Sequence, residues 1–167
     1  MAPKKIRINK NEWPSFIRDF NRQNQFRLAT MSLGGKMMVG EPGAVLIGLA
    51  YEPKANKIEV YFGGHDKENP SQLAHTINGP RAIYLVRDYE ASASNPVAGI
   101  NIQGAPGSQT AYITFLEIDP GEARQRWTSG LAYSIYESRG MACGFDQDDW
   151  YEAELIIDKV SKPFLKE

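Results

Sequence analysis

Near Asp119 the spacing of apolar side chains changes from every second residue to every third or fourth. A chain with that switch is read as a β unit followed by a helical one. Upstream, residues 57–62 alternate, with Ile58, Val60 and Phe62 on one side and Lys57, Glu59 and Tyr61 on the other, as a half-buried strand requires. Downstream, Trp127, Leu131 and Ile135 recur at four-residue spacing. No helical period intervenes between the upstream strands, and strands without helical crossovers pair antiparallel.

The first periodic segment starts at Asn11, a helix-capping residue, and has Pro14 in its first turn. Trp13, Phe16, Ile17 and Phe20 form its apolar stripe, while Arg18, Asp19, Asn21 and Arg22 are assigned to the solvent face. From Phe26 the period is two, and Gly34-Gly35 supplies a turn. Residues 44–51 are apolar on both faces and are expected to form a central strand, and Pro53 and Asn56 mark the loop before residues 57–62. Residues 63–70, from Gly63-Gly64 to Pro70, read as an exposed loop and a candidate binding surface. Further strands are expected over residues 73–77, 82–87, 97–103 and 110–116.

At Asp119-Pro120-Gly121-Glu122 a capping box opens a helix over residues 120–139, with Gly140 as its stop. A second helix starts at Asp146, with Trp150, Ala153, Ile157 and Val160 as its stripe and Pro163 as its end. The expected fold is therefore α+β: an antiparallel β-barrel or bent sandwich with an N-terminal helix over residues 1–118, then a helical hairpin over residues 119–167. The hairpin is too short to stand alone and must dock on the barrel or on a partner.

Apolar residues at 42% and charged residues at 23% suffice for one core. The net charge of -1 supplies no field for phosphate backbones or anionic lipid, so nucleic-acid binding is disfavoured and Lys4, Lys5, Arg7 and Lys10 are expected to be solvated. Cys143 is the single cysteine, which excludes an internal disulfide and a cysteine zinc site, and it is expected to be a buried, inert thiol. No apolar run has the length of a membrane span and residues 1–12 lack an apolar signal core, so no membrane partner and a cytoplasmic location are expected.

Chemistry-bearing motifs are sparse. Neither HExxH nor GxSxG is present, and Gly34-Gly35-Lys36 lacks the flanking residues of a phosphate loop. Asp146, Asp148 and Asp149 have a helix-start explanation, so neither metal nor cofactor is expected. Two histidines remain, His65 in the glycine-rich stretch and His75 in a strand, and with Tyr84 they are the candidate ligand-binding residues, His75 and Tyr84 near a pocket at a barrel mouth. On the hairpin, Trp127, Tyr133, Tyr136, Arg139, Trp150 and Tyr151 combine aromatic and guanidinium groups in the manner of interface cores, which makes them candidate partner contacts.

Two stretches resemble known families. Trp13-x-x-Phe16-x-x-x-Phe20, Ile47-Gly48-Leu49, Ile58-x-Val60-x-Phe62-Gly63, His75-x-Ile77-x-x-Pro80 and Thr110-x-x-Ile113-x-Phe115 follow in the order of the bacterial domain-of-unknown-function family 5335. Ala132-Tyr133-x-Ile135-Tyr136-Glu137-x-Arg139-Gly140, then Gly144-x-Asp146-x-x-Asp149-Trp150-x-x-Ala153-Glu154, is similar to the short bacterial family 2934, also of unknown function. Cys143-Gly144-Phe145 departs from the more polar turn expected there. The resemblances imply a bacterial, modular, intracellular protein and bring no catalytic residues.

The leading expectation is a non-enzymatic binding or assembly module that meets a protein partner or a second copy of itself. The alternative is a small-molecule-binding barrel, even an enzyme, with a pocket near His75 and Tyr84. Nucleic-acid binding through Arg7, Arg18, Arg22 and Arg27 is a third reading, marked by sensitivity to salt.

Overall fold

The computed structural model describes residues 3–88, 96–106 and 109–165. Its elements run β1 (Lys4–Ile8), α1 (Trp13–Asn24), β2 (Leu28–Leu33), β3 (Lys36–Glu52), β4 (Lys57–Asp66), β5 (Asn69–Asn78), β6 (Ala82–Arg87), β7 (Val97–Gln103), β8 (Ala111–Phe115), α2 (Pro120–Ser138) and α3 (Asp146–Ser161). All eight strands join one antiparallel sheet in the order β1-β6-β7-β8-β2-β3-β4-β5. The α+β class with an N-terminal helix and two C-terminal helices is as expected, but the sheet does not close. It ends in two edges, β1 and β5, so the expected barrel is corrected to an open, strongly bent sheet.

Bending is built into β3, whose 17 residues exceed the expected central strand. Its first half pairs with β2 and its second half with β4, and both ladders contain register shifts. Between Leu46 and Gly48 an extra residue breaks strict alternation, so Leu46 and Leu49 point to one face while Val45 and Ile47 point to the other. The first face curls around a core with Trp13, Ile17 and Phe20 of α1, together with Val60, Phe62, Ile83, Ile100 and Ile113. The outer face meets Trp127, Leu131 and Ile135 of α2 and Ala153 and Ile157 of α3. The hairpin thus buries its stripe against its own sheet, as its size demands.

The basic side chains Lys4, Lys5, Arg7 and Lys10 are exposed, as expected, but the segment that carries the first three is a strand: residues 4–8 pair antiparallel with β6, with Ile6 opposite Leu85 and Ile8 opposite Ile83, and their lysines guard a sheet edge. Two local expectations change. The expected loop over residues 63–70 is mostly strand, because β4 continues to Asp66 and β5 starts at Asn69. Gly63 and Gly64 are there to admit a close neighbour and not to turn the chain. Phe26 takes a left-handed φ of 74°, which reverses the chain after α1 and delays β2 to Leu28.

Asn21, assigned to the solvent face, is buried. Past the point where Leu46 N-H bonds Arg27 C=O, that edge of β3 has no strand beside it among the described residues, and side-chain amides from α1 and the residue that follows it stand in. Asn21 Nδ2 donates to Leu49 C=O at 2.9 Å and to Phe164 C=O at 3.1 Å, and its Oδ1 accepts from Leu49 N-H at 2.9 Å. Gln25 Nε2 donates to Ile47 C=O and to Ser161 C=O, both at 3.0 Å. These two residues tie α1, β3 and the end of the chain together. No helix among the described residues is long and apolar enough to cross a membrane.

Candidate functional site

The hairpin sits on the sheet through glycine notches. A Cβ at Gly63 would lie 2.5 Å from the Trp127 ring, one at Gly130 would lie 2.7 Å from the His65 ring, and one at Gly48 would lie 2.8 Å from Phe164. Trp127 Nε1 donates to Gly64 C=O at 2.8 Å, which satisfies the buried indole N-H. Ser134 Oγ accepts from Lys67 N-H at 3.1 Å at the turn between β4 and β5. Trp127, expected among the partner contacts, is therefore taken up inside the chain. His65 stands at the rim of this seam with one side exposed.

Ion pairs supplement the apolar packing of the two helices. Asp119 Oδ2 accepts from Glu122 N-H, the cap read from the sequence, and Gly140 follows α2 with a φ of 73°. Arg124 bonds Asp158 at 2.8 Å. Arg139 bonds Asp149, which is buried although it lies in the first turn of α3, and the Arg139 guanidinium also lies 4.7 Å from the Phe145 ring centroid. Arg139 is thus engaged in closing the hairpin. Trp150 is half-buried, and Cys143 is exposed in the loop between the helices, which corrects the expected buried thiol.

The remaining hairpin candidates face outward. Tyr133 is 57% exposed and Tyr151 is 56% exposed, and Leu155, one turn beyond Tyr151, is 69% exposed. Tyr133 packs beside Tyr136 with ring centroids 5.9 Å apart, and Gln147 Nε2 donates to the Tyr151 hydroxyl at 3.2 Å. Met141 and Phe145 are also exposed, in the loop between the helices. Leu155 carries the largest exposure and was missed, because a leucine at helical spacing reads as core.

Two clefts flank the seam. The first, of about 450 Å³, lies between α1, the ends of β3 and β4, and Phe164; it is lined by Arg18, Asn21, Tyr51, Glu52, Glu59 and Tyr61. Burial, and then the neighbouring Glu59 and Glu52 carboxylates, push the Tyr61 phenol above its ordinary value, with the hydroxyl 3.2 Å from Glu59 Oε2. The folded state therefore holds the Tyr61 proton more tightly than the unfolded chain. Its contribution to stability is present below pH ~10 and is lost as pH rises above the ordinary tyrosine range. Absorbance titration of the phenolates should show one late tyrosine that moves down in Glu59→Gln; an unchanged titration curve refutes the assignment.

The second cleft, of about 360 Å³, lies between α2 and the strands and is lined by His65, Gln72, Arg126 and Trp127. His75 and Tyr84 line neither. His75 pairs with Val60, whose side chain faces the inner core, whereas Tyr84 lies beside Arg7 on the outer face of β6, so the two do not converge on one pocket. Among the described residues no three His, Cys, Asp or Glu side chains are grouped to hold a metal ion. Arg27, read as a possible phosphate contact, is buried; it donates to Asn24 Oδ1 and to Val97 C=O, and its guanidinium covers the Phe115 ring at 4.0 Å. Desolvation lowers its pKa from the ordinary arginine value.

Comparison with known proteins bears on the hairpin. Residues 123–159 match the model of a family described as a protein of unknown function, DUF2934. The matched segment runs from Ala123 in α2 to Lys159 in α3, which is the second of the two resemblances noted above. The comparisons return nothing for family 5335 over residues 11–116. No curated protein and no solved structure matches the chain.

Proposed function

We propose that the protein is a non-enzymatic binding module whose helical hairpin docks another protein surface, in the first instance a second copy of the same chain. One observation carries this reading. The hairpin buries Trp127, Leu131, Ile135 and Ile157 against its own sheet and still leaves Tyr133, Tyr151, Leu155, Phe145 and Met141 exposed on the remaining surface. Exposed tyrosines and a leucine, with Tyr151 and Leu155 one turn apart on α3, supply the aromatic and aliphatic anchors on which interfaces depend. The ion pair of Arg139 with the buried Asp149 joins the loop end of α2 to the start of α3 and so helps to set the helices that present these residues.

Sedimentation equilibrium of the purified chain and of Tyr151→Glu with Leu155→Glu tests this. Because both residues are exposed, the double variant should keep the melting temperature within the range of surface changes, about 0.5 kcal/mol each. Self-association is expected to weaken at least tenfold. A chain that is monomeric at every concentration, or a dimer indifferent to both glutamates, overturns the reading.

A further inference from the structure

The hairpin covers only part of the outer sheet face. It rests on β3 and β4 and reaches as far as Leu28 of β2 and Leu116. Beyond these residues, the same face of β2, β8, β7, β6 and β1 carries no helix among the described residues. Register places a continuous row on it: Arg7 opposite Tyr84, Tyr84 opposite Asn101, Asn101 opposite Tyr112, and Tyr112 opposite Ser32. A second row runs Lys5, Val86, Gly99, Thr114 and Thr30. The side chains facing inward from these strands, such as Ile83, Leu85, Ile100 and Ile113, belong to the core, which confirms the alternation.

The chemistry of this face is unlike that of the hairpin. Two tyrosines stand two strand spacings apart, roughly 10 Å. Tyr112 is 42% exposed, and Asn101 lies between them and is 7% exposed. The Arg7 guanidinium covers the Tyr84 ring at 5.9 Å from its centroid. Hydroxyl and amide groups of Ser32, Thr30, Thr114 and Gln103 surround them. Strands β1, β2, β6, β7 and β8 contain Lys4, Lys5, Arg7 and Arg87 but no aspartate or glutamate. The chain's net charge of -1 therefore hides a segregation, with carboxylates on the hairpin and on β3 and β4 and none in these five strands.

We infer that this bare sheet face binds single-stranded nucleic acid. Tyrosine rings on a sheet are stacking platforms for bases, which present π-faces whatever their sequence. Lys5 and Arg7 meet the phosphates, and the hydroxyls and the exposed Gln103 amide reach base edges. Val86 is the one aliphatic side chain in these two rows, so the face lacks the aliphatic anchors that accompany the hairpin's tyrosines, and a duplex calls for many more cations than two. The negative net charge argued against general nucleic-acid binding because a net charge averages over faces; the tertiary arrangement separates them.

The test uses the full-length chain, with fluorescence anisotropy of a labelled oligouridylate, an oligothymidylate of the same length and a short duplex. Binding of a single strand in preference to the duplex is expected, and with two phosphate contacts it should weaken about 25-fold per tenfold rise in salt. Tyr112→Ala should weaken binding about tenfold through one lost base stack. Arg7→Glu should weaken it further and flatten the salt slope, and Tyr112→Ala should leave the circular dichroism spectrum unchanged. Uridylate against thymidylate separates RNA from DNA as the source. No binding at low salt, a preference for duplex, or affinity indifferent to both variants overturns the inference. So does Tyr112→Ala dissolving a protein dimer without changing nucleic-acid affinity.

Discussion

Trp127→Ala is expected to cost about 3–5 kcal/mol, the range for deleting a buried aromatic side chain, and to release the hairpin from the sheet. Trp127 is 1% exposed, its indole N-H is bonded to Gly64, and its ring fills the space that a side chain at Gly63 would take. The reciprocal change, Gly63→Val, is expected to do comparable damage by overfilling the same notch. The ring cannot retreat without losing either its hydrogen bond or its contact with Phe26, 6.4 Å away between centroids. Urea unfolding followed by tryptophan fluorescence measures both. A loss under 1 kcal/mol in either variant would show that the hairpin is not locked where the notches put it.

Asn21→Leu is expected to cost about 3 kcal/mol, although it places an apolar residue in a site only 3% exposed. The reason is the accounting of backbone groups. Leucine fills the volume but leaves Leu49 N-H and the carbonyls of Leu49 and Phe164 without the amide that meets them, at about 1–3 kcal/mol for each buried group left unpaired. Amide exchange gives the sharper readout. The Leu49 N-H should exchange far faster in Asn21→Leu, while amides of β7, on the other side of the core, keep their protection. An unchanged Leu49 rate would mean that Asn21 is not the group closing the β3 edge.

The lesson about legibility lies in these two residues. Trp127 was readable as buried, since a four-residue apolar period has one main meaning, but its partners were not. Gly63-Gly64 signals a turn as readily as a notch, and only a helix lying across β4 decides between them. Asn21 was misread because a polar residue on an amphipathic helix is normally solvated. Its burial follows from β2 ending short of β3, a fact of pairing between segments distant in the sequence. His65 was placed in a loop for the same reason as Gly63. Tyr112 drew no notice as one aromatic in a short strand, and acquires meaning beside Arg7, Tyr84 and Asn101, which register alone brings together.

The sequence by itself determined the helices, the Asp119 cap of α2 and most strand centres, because periodicity, capping and turn chemistry act over a few neighbouring residues; the Asn11 cap expected for α1 is not formed, since a short 3-10 turn precedes Trp13. The sequence also determined the handover at Asp119. Whether the sheet closes, which glycines are notches, which amide replaces a strand, and how charge divides between the hairpin and the bare sheet face were decided only by the tertiary structure. Each depends on which distant segments lie side by side, and strand order and register across β1-β6-β7-β8-β2 are long-range pairings that no local pattern encodes.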